Sequence, residues 1–378
     1  MRLVVILSSA SFAVFGACLT LPGTLLPVLV PQFEMRLVEA GSMLAFQPAA
    51  YLVAVMFAAR ILQRIGMRAF LIGSVITFAF GMAGFGCIST WRGGAALLFL
   101  TGLGLGLMEV GINSLLIVVG GPRRTNLLNF THLFFGVGSF VAPALSAHAV
   151  AAGASWRLPF WIVGGITAAV ALGWSLLPVS AAPPAAAQGS RPAGRARLVL
   201  LLATGLGVYV GTETGIGAWL TKYMVTVREV GLIYAGNTLS LYWLSLAVGR
   251  LLLSLLAHRV REEPLLVGLA MLSLAGVATA LTAPLPLGAA LGFALTGFGL
   301  SGIFPGIIAL GGRYYPDDVA RVTSHLIAGA GAGGIVIPWL MSAIAERAGL
   351  IAGMTSYGVG CALMTLLAVL ILSEPVRQ

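Results

Sequence analysis

Residues 95–119 read AALLFLTGLGLGLMEVGINSLLIVV, an apolar run with a single charge, Glu109. At 1.5 Å per residue a helix over this run is longer than the roughly 30 Å hydrocarbon core of a bilayer. Eleven further stretches satisfy the same requirement of roughly 20 mostly apolar residues. They lie at about 4–30, 40–62, 69–89, 127–151, 157–178, 197–221, 231–256, 264–282, 287–311, 322–345 and 351–373. The expected fold is therefore an all-α membrane protein of twelve transmembrane helices. The first stretch follows Arg2 as a signal peptide would, but it is too long for a signal core and more spans follow, so it reads as retained.

Composition agrees. Of 378 residues, 59% are hydrophobic and 8% charged, against about 25% charged in soluble domains. A net charge of +10 raises nucleic acid as a partner. The arginines form only short, scattered clusters, however, without the dense basic stripe that phosphate binding needs. They fit the positive-inside rule better. With the N-terminus inside, the inner loops hold Arg2, Arg60, Arg64, Arg68, Arg123, Arg124, Arg191, Arg195, Arg197, Arg259, Arg261, Arg313, Arg321 and Arg377. The outer loops hold Arg36, Arg92, Arg157, Lys222, Arg228 and Arg347, and Arg250 lies inside span 8. That bias of fourteen to six places both termini in the cytoplasm of a multi-pass protein of the bacterial inner membrane. Cys18, Cys87 and Cys361 sit in apolar runs with no metal-ligand spacing and read as packed thiols. No metal, cofactor or catalytic set is indicated.

The stretch 179–196 contains PPAAAQGSRPAGRAR without apolar periodicity and reads as a cytoplasmic linker. It divides the spans six and six, into bundles 1–178 and 197–378. The halves resemble each other. Leu100-Thr101-Gly102-Leu103-Gly104-Leu105 returns as Leu295-Thr296-Gly297-Phe298-Gly299-Leu300, an offset of 195, at which Gly16 also meets Gly211 and Gly111 meets Gly306. His132, Gly136 and Gly138 of span 5 share their internal spacing with His325, Gly329 and Gly331 of span 11. Two pseudo-symmetric six-helix halves joined by a cytoplasmic linker resemble the major facilitator fold, in which the solute site is expected near the midplane between the halves. The 50 glycines, concentrated in spans 4, 5, 10 and 11, permit close helix approach, by static packing or at a rocking interface.

Only two of the eleven acids, Glu109 and Glu213, lie deep in hydrocarbon. A carboxylate there is costly, so it usually faces a cavity or serves function. Asn113 lies one turn beyond Glu109 on the same face, and Tyr209 one turn before Glu213. An acid that gains and loses a proton as a site opens to each side would couple transport to a proton gradient; one that only accepts hydrogen bonds would bind a polyol. The bland alternative is a structural acid bonded to a neighbouring helix. Gln47 and Tyr51 in span 2, and Tyr234, Asn237, Tyr242 and Trp243 in span 8, are weaker candidates for a cavity wall or for helix–helix contacts. His132 and His325 are packing residues or proton relays. Trp219 is an interface residue or a stacking surface for a sugar ring.

At these residues the chain resembles the fucose permease branch of the major facilitator superfamily, the fucose–galactose–glucose proton symporters. The resemblance rests on Gly102 to Asn113 in span 4, on Leu128 to Gly138 in span 5, and above all on Tyr209-Val-Gly211-Thr-Glu213-Thr-Gly-Ile-Gly217-Ala-Trp219 in span 7. Leu25-Leu26-Pro27 and Pro31-Gln32-Phe33 also fit. The resemblance implies Glu109 in proton coupling or sugar binding, His132 at a sugar-contacting position and Trp219 close to the cavity. The family pattern has an acid where this chain has Pro27, so coupling would rest on Glu109 or Glu213. The superfamily's loop 2–3 signature is reduced here to Arg64, Gly66 and Arg68.

The leading expectation is thus a proton-coupled hexose symporter, monomeric by the same resemblance, with Glu109, Asn113, His132, Tyr209, Glu213, Trp219, Asn237, Gln47 and Tyr51 as its solute-binding candidates. A proton-coupled exporter of drugs or amphiphilic metabolites is the alternative. A non-transporting receptor would not need membrane acids. An enzyme would need a nucleophile–base set, metal spacing or a phosphate loop that the sequence lacks.

Overall fold

The computed structural model describes residues 1–178, 196–256, 262–316 and 318–373. The linker expected over 179–196 lies outside these residues but for the first helical position of α7, as do Arg259, Arg261 and Arg377. All regular structure among the described residues is helical: α1 (Arg2–Thr24), α2 (Leu26–Gln32), α3 (Leu37–Phe85), α4 (Trp91–Gly120), α5 (Arg124–Ala151), α6 (Leu158–Leu176), α7 (Ala196–Thr226), α8 (Leu232–Leu256), α9 (Glu262–Thr282), α10 (Pro286–Leu300), α11 (Ile303–Tyr314), α12 (Val319–Ala348) and α13 (Leu350–Ser373). Among the described residues, eleven helical runs are long and apolar enough to cross a membrane. One of them, α3, is 49 residues long and carries two spans, which makes twelve.

Three sequence features set where helices bend. Gly66 (φ 77°, ψ 162°) breaks α3 between its two spans in a conformation that favours glycine. The first span is shorter than the apolar run 4–30. Pro27 has no N–H to donate to the Gly23 carbonyl, and the helix stops at Leu25 (φ −97°, ψ 4°) before restarting as α2. Span 10 is likewise split. Pro305 cannot donate to the Ser301 carbonyl, and α10 and α11 are separated at Ser301–Gly302.

The helices gather into two compact units, Met1–Ala186 and Ala187–Gln378, with six spans each. In the first, α1 packs on α5, and α3 on α4 and α6. In the second, α7 packs on α12, α10 on α8 and α9, and α13 on α7 and α9. In lipid, apolar burial does not drive helices together, so close backbone packing must. The two tightest crossings show it. A Cβ on Gly138 of α5 would overlap the Ala13 carbonyl of α1, and a Cβ on Gly333 of α12 would overlap the Gly207 carbonyl of α7. Gly138 and Gly333 keep the offset of 195 found in the sequence. His132 and His325, 193 apart, are two residues out of register with it.

Each unit has its own core, with Phe12, Phe78, Phe160 and Trp174 buried in the first and Trp219, Tyr223, Phe293 and Tyr357 in the second. Large apolar side chains also point outward, among them Ile6, Met56, Phe80, Leu172, Leu255, Leu287 and Val359. A bilayer solvates such a surface; water does not.

Candidate functional site

In the first unit, the C-terminal half of α4 carries two polar side chains, Glu109 and Asn113, on one face, and each finds a partner. The Tyr51 hydroxyl of α3 donates to Glu109 Oε2 at 2.5 Å. One turn on, Asn113 Oδ1 lies 3.1 Å from His132 Nε2 of α5, so that nitrogen carries the proton. Aromatic rings border this strip. Phe12 lies against the His132 ring with centroids 4.1 Å apart, and Phe15 is edge-on to Phe135 at 5.2 Å. Tyr51, Glu109 and Asn113 are partly exposed and His132 is exposed. The strip therefore offers a carboxyl, a phenol, an amide and an imidazole, all able to exchange hydrogen bonds with hydroxyl groups.

Gln47 does not join it. Its side chain is buried, and Nε2 donates to Cys18 Sγ at 3.3 Å while that thiol reaches Met82 Sδ at 3.2 Å. Its amide thus links α3 to α1 in the interior of the unit.

In the second unit, Glu213 is held more tightly. Its Oε1 accepts from the Tyr209 hydroxyl at 2.6 Å and from Arg250 Nη2 of α8 at 2.9 Å. Arg250 Nη2 also lies 3.1 Å from the Tyr209 oxygen. The Tyr242 hydroxyl of α8 donates to the Glu213 backbone carbonyl at 3.0 Å. Tyr209 and Glu213 are thus brought together as their spacing predicts. Arg250 completes the cluster, and sequence reading missed it there, counting it inside span 8 without assigning it a partner. The signal was present, because a cation inside a span needs a counter-charge, and its long side chain reaches up to Glu213.

Trp219 is fully buried, and its indole N–H has no hydrogen-bond partner among the described residues. It offers no face for a sugar ring to stack on and is a core residue here. Asn237 is exposed on α8, outside the Glu213 cluster. A second ion pair also departs from expectation. Glu263, just outside the apolar run 264–282, is buried at the start of α9, pairs with Arg313 of α11 and has the Tyr314 hydroxyl at 3.4 Å.

The second unit also contains a cavity of about 760 Å³ between α7 and α12. Its wall is mostly apolar, including Val199, Leu200, Val208, Val336 and Ile337, with Thr204, Tyr315, Asp318, Arg321 and His325 as its polar members. His325 Nδ1 lies 2.8 Å from the Arg321 carbonyl. That oxygen only accepts, so Nδ1 carries a hydrogen.

The sequence profile of the Major Facilitator Superfamily matches residues 7–291 and 239–378. The glucose/galactose transporter of Brucella abortus is 23% identical over 367 residues, covering 90% of this chain and 87% of that protein. Among solved structures, a D-xylose–proton symporter superposes with a TM-score of 0.81 at 13% identity, covering 98% of this chain and 97% of the other. FucP, a Major Facilitator Superfamily transporter in the outward conformation, superposes with a TM-score of 0.64 at 22% identity, covering 98% and 99%.

Proposed function

The chain belongs to the Major Facilitator Superfamily, and from that premise we propose that it is a secondary active transporter that carries a hexose or related sugar together with a proton by alternating access. The observation that carries the proposal is the strip formed by Tyr51, Glu109, Asn113 and His132. It is a set of hydroxyl-binding groups within otherwise apolar helices, and it includes a carboxyl group with no cation paired to it among the described residues. Similarity to a glucose/galactose transporter over most of both chains supports the solute class, and likeness to a D-xylose–proton symporter accords with the fold.

In this reading Glu109 takes up and releases the coupling proton. Deprotonated, it accepts from Tyr51; protonated, its charge is removed and it donates to a solute oxygen. Glu213 already has a counter-charge in Arg250, so it needs no proton to be neutralised. Tyr209 is fully buried and Glu213 nearly so, so the two act on the solute through Arg250, which they hold in place, and Asn237 adds a polar group on α8. In this reading the chain lies in a bacterial inner membrane with both termini cytoplasmic, on the arginine bias between loops, and is a monomer, on its resemblance to the family.

Proteoliposomes with an imposed pH gradient test the proposal. Wild-type protein accumulates hexose, and Glu109→Gln loses the gradient-driven accumulation while keeping hexose counterflow. Undiminished accumulation by Glu109→Gln would sink the coupling assignment. The apolar wall of the α7–α12 cavity favours a second reading, export of an amphiphilic compound. Dye efflux from the same vesicles with no hexose movement would select it.

A further inference from the structure

Arg250 and Glu213 are unequally accessible. The Arg250 side chain is 40% exposed and that of Glu213 only 10%. The pair therefore shows its cationic member outward and keeps its anionic member behind. A guanidinium stays charged and is costly in contact with hydrocarbon, so the exposed face of Arg250 meets water. Its donors are also only partly used. Arginine has five N–H hydrogens, and a single nitrogen, Nη2, makes both described bonds, to Glu213 Oε1 and to the Tyr209 hydroxyl. Nε and Nη1 have no acceptor among the described residues.

We infer that Arg250 contacts the solute directly through Nε and Nη1, and that Glu213 tunes this contact toward neutral polyhydroxylated solutes and against anionic ones. The inference rests on the sugar reading above and names a specificity-determining pair within it. The reason is charge balance. Arg250 and Glu213 sum to zero, so hydroxyl oxygens satisfy the remaining N–H donors without adding charge to a region of low dielectric. A carboxylate on the solute would leave one uncompensated negative charge there, which is expensive to bury. Replacing Glu213 by glutamine removes that charge but keeps an oxygen that accepts from Tyr209 and Arg250. The free guanidinium would then accept a sugar acid.

The test is direct binding to purified protein in detergent, by calorimetry, with D-glucose and D-glucuronate as probes. Wild type, Glu213→Gln, Arg250→Lys and the double variant Glu213→Gln/Arg250→Gln are compared, each checked for wild-type elution. Wild type is expected to bind glucose and reject glucuronate. Arg250→Lys weakens glucose by about tenfold, the worth of a charge-assisted hydrogen bond. Glu213→Gln shifts the glucose-to-glucuronate preference by at least about tenfold toward the acid, and the double variant loses that shift. Wild-type glucose affinity in both Arg250 variants, or an unchanged preference in Glu213→Gln, overturns the inference and leaves the sugar reading standing. Folded wild type that binds no hexose overturns both. If Arg250→Lys fails to fold, the preference of Glu213→Gln decides alone.

Discussion

Arg250 of α8 reaches Glu213 of α7 at 2.9 Å, whereas Glu109 of α4 has Tyr51 of α3 as its described polar partner, at 2.5 Å. The two acids are equivalent in the apolar pattern of their helices but not in charge. One belongs to a neutral ion pair, and the other holds a hydrogen bond from a phenol.

Removing the phenol is expected to change coupling without abolishing it. Tyr51→Phe leaves Glu109 in place but takes away its donor, a charge-assisted bond worth roughly 1.5–3 kcal/mol. Uptake measured against external pH should keep its maximum but move the pH at which it falls to half. A profile that coincides with wild type would argue that this bond plays no part in proton exchange.

The helix crossings at glycine should tolerate no side chain. Gly138→Leu and Gly333→Leu each force a side chain into a backbone carbonyl across the crossing, and overpacking costs about 1–3 kcal/mol or more. Thermal unfolding in detergent should drop by several degrees for each. Gly165→Leu, where a Cβ meets nothing within 4 Å, should unfold like wild type. Equal melting of all three would mean that the crossings are looser than described.

Glu263 is buried and paired with Arg313. Arg313→Ala would leave its charge unpaired. Losing one partner of a fully buried pair costs about 3–5 kcal/mol, and the exposure of Arg313 should lower that figure. Glu263→Gln/Arg313→Ala should recover most of the loss, because no unpaired charge remains. A double variant as unstable as Arg313→Ala would show that the pair does not act through charge.

Trp219 should affect stability rather than solute affinity. Trp219→Phe is expected to bind hexose as wild type does, with a lower unfolding temperature, and Trp219→Ala to lose about 3–5 kcal/mol. A large drop in hexose affinity in a folded Trp219→Phe protein would return this side chain to the binding surface.

Much of this is legible in the sequence, since the spans follow from apolar runs whose length must match the bilayer. The breaks near Pro27 and Pro305 are not, because both prolines lie inside apolar runs that read as single spans. The repeat at offset 195 reappears as Gly138 and Gly333 at equivalent crossings. The site was legible only in part. Glu109 and Asn113, and Tyr209 and Glu213, could be paired because four residues make one helical turn. Their partners Tyr51, His132 and Arg250 lie 58, 19 and 37 residues away, and no periodicity connects them.

The amino-acid sequence by itself determined that this chain crosses a membrane many times in two related halves and that two acids lie within it, because hydrocarbon imposes its length and polarity requirements on each helix separately. Only the tertiary structure decided how those acids differ and that Trp219 and Gln47 are interior. Which side chain meets which across neighbouring helices depends on the rotation and depth of each helix, and close packing against other helices sets both.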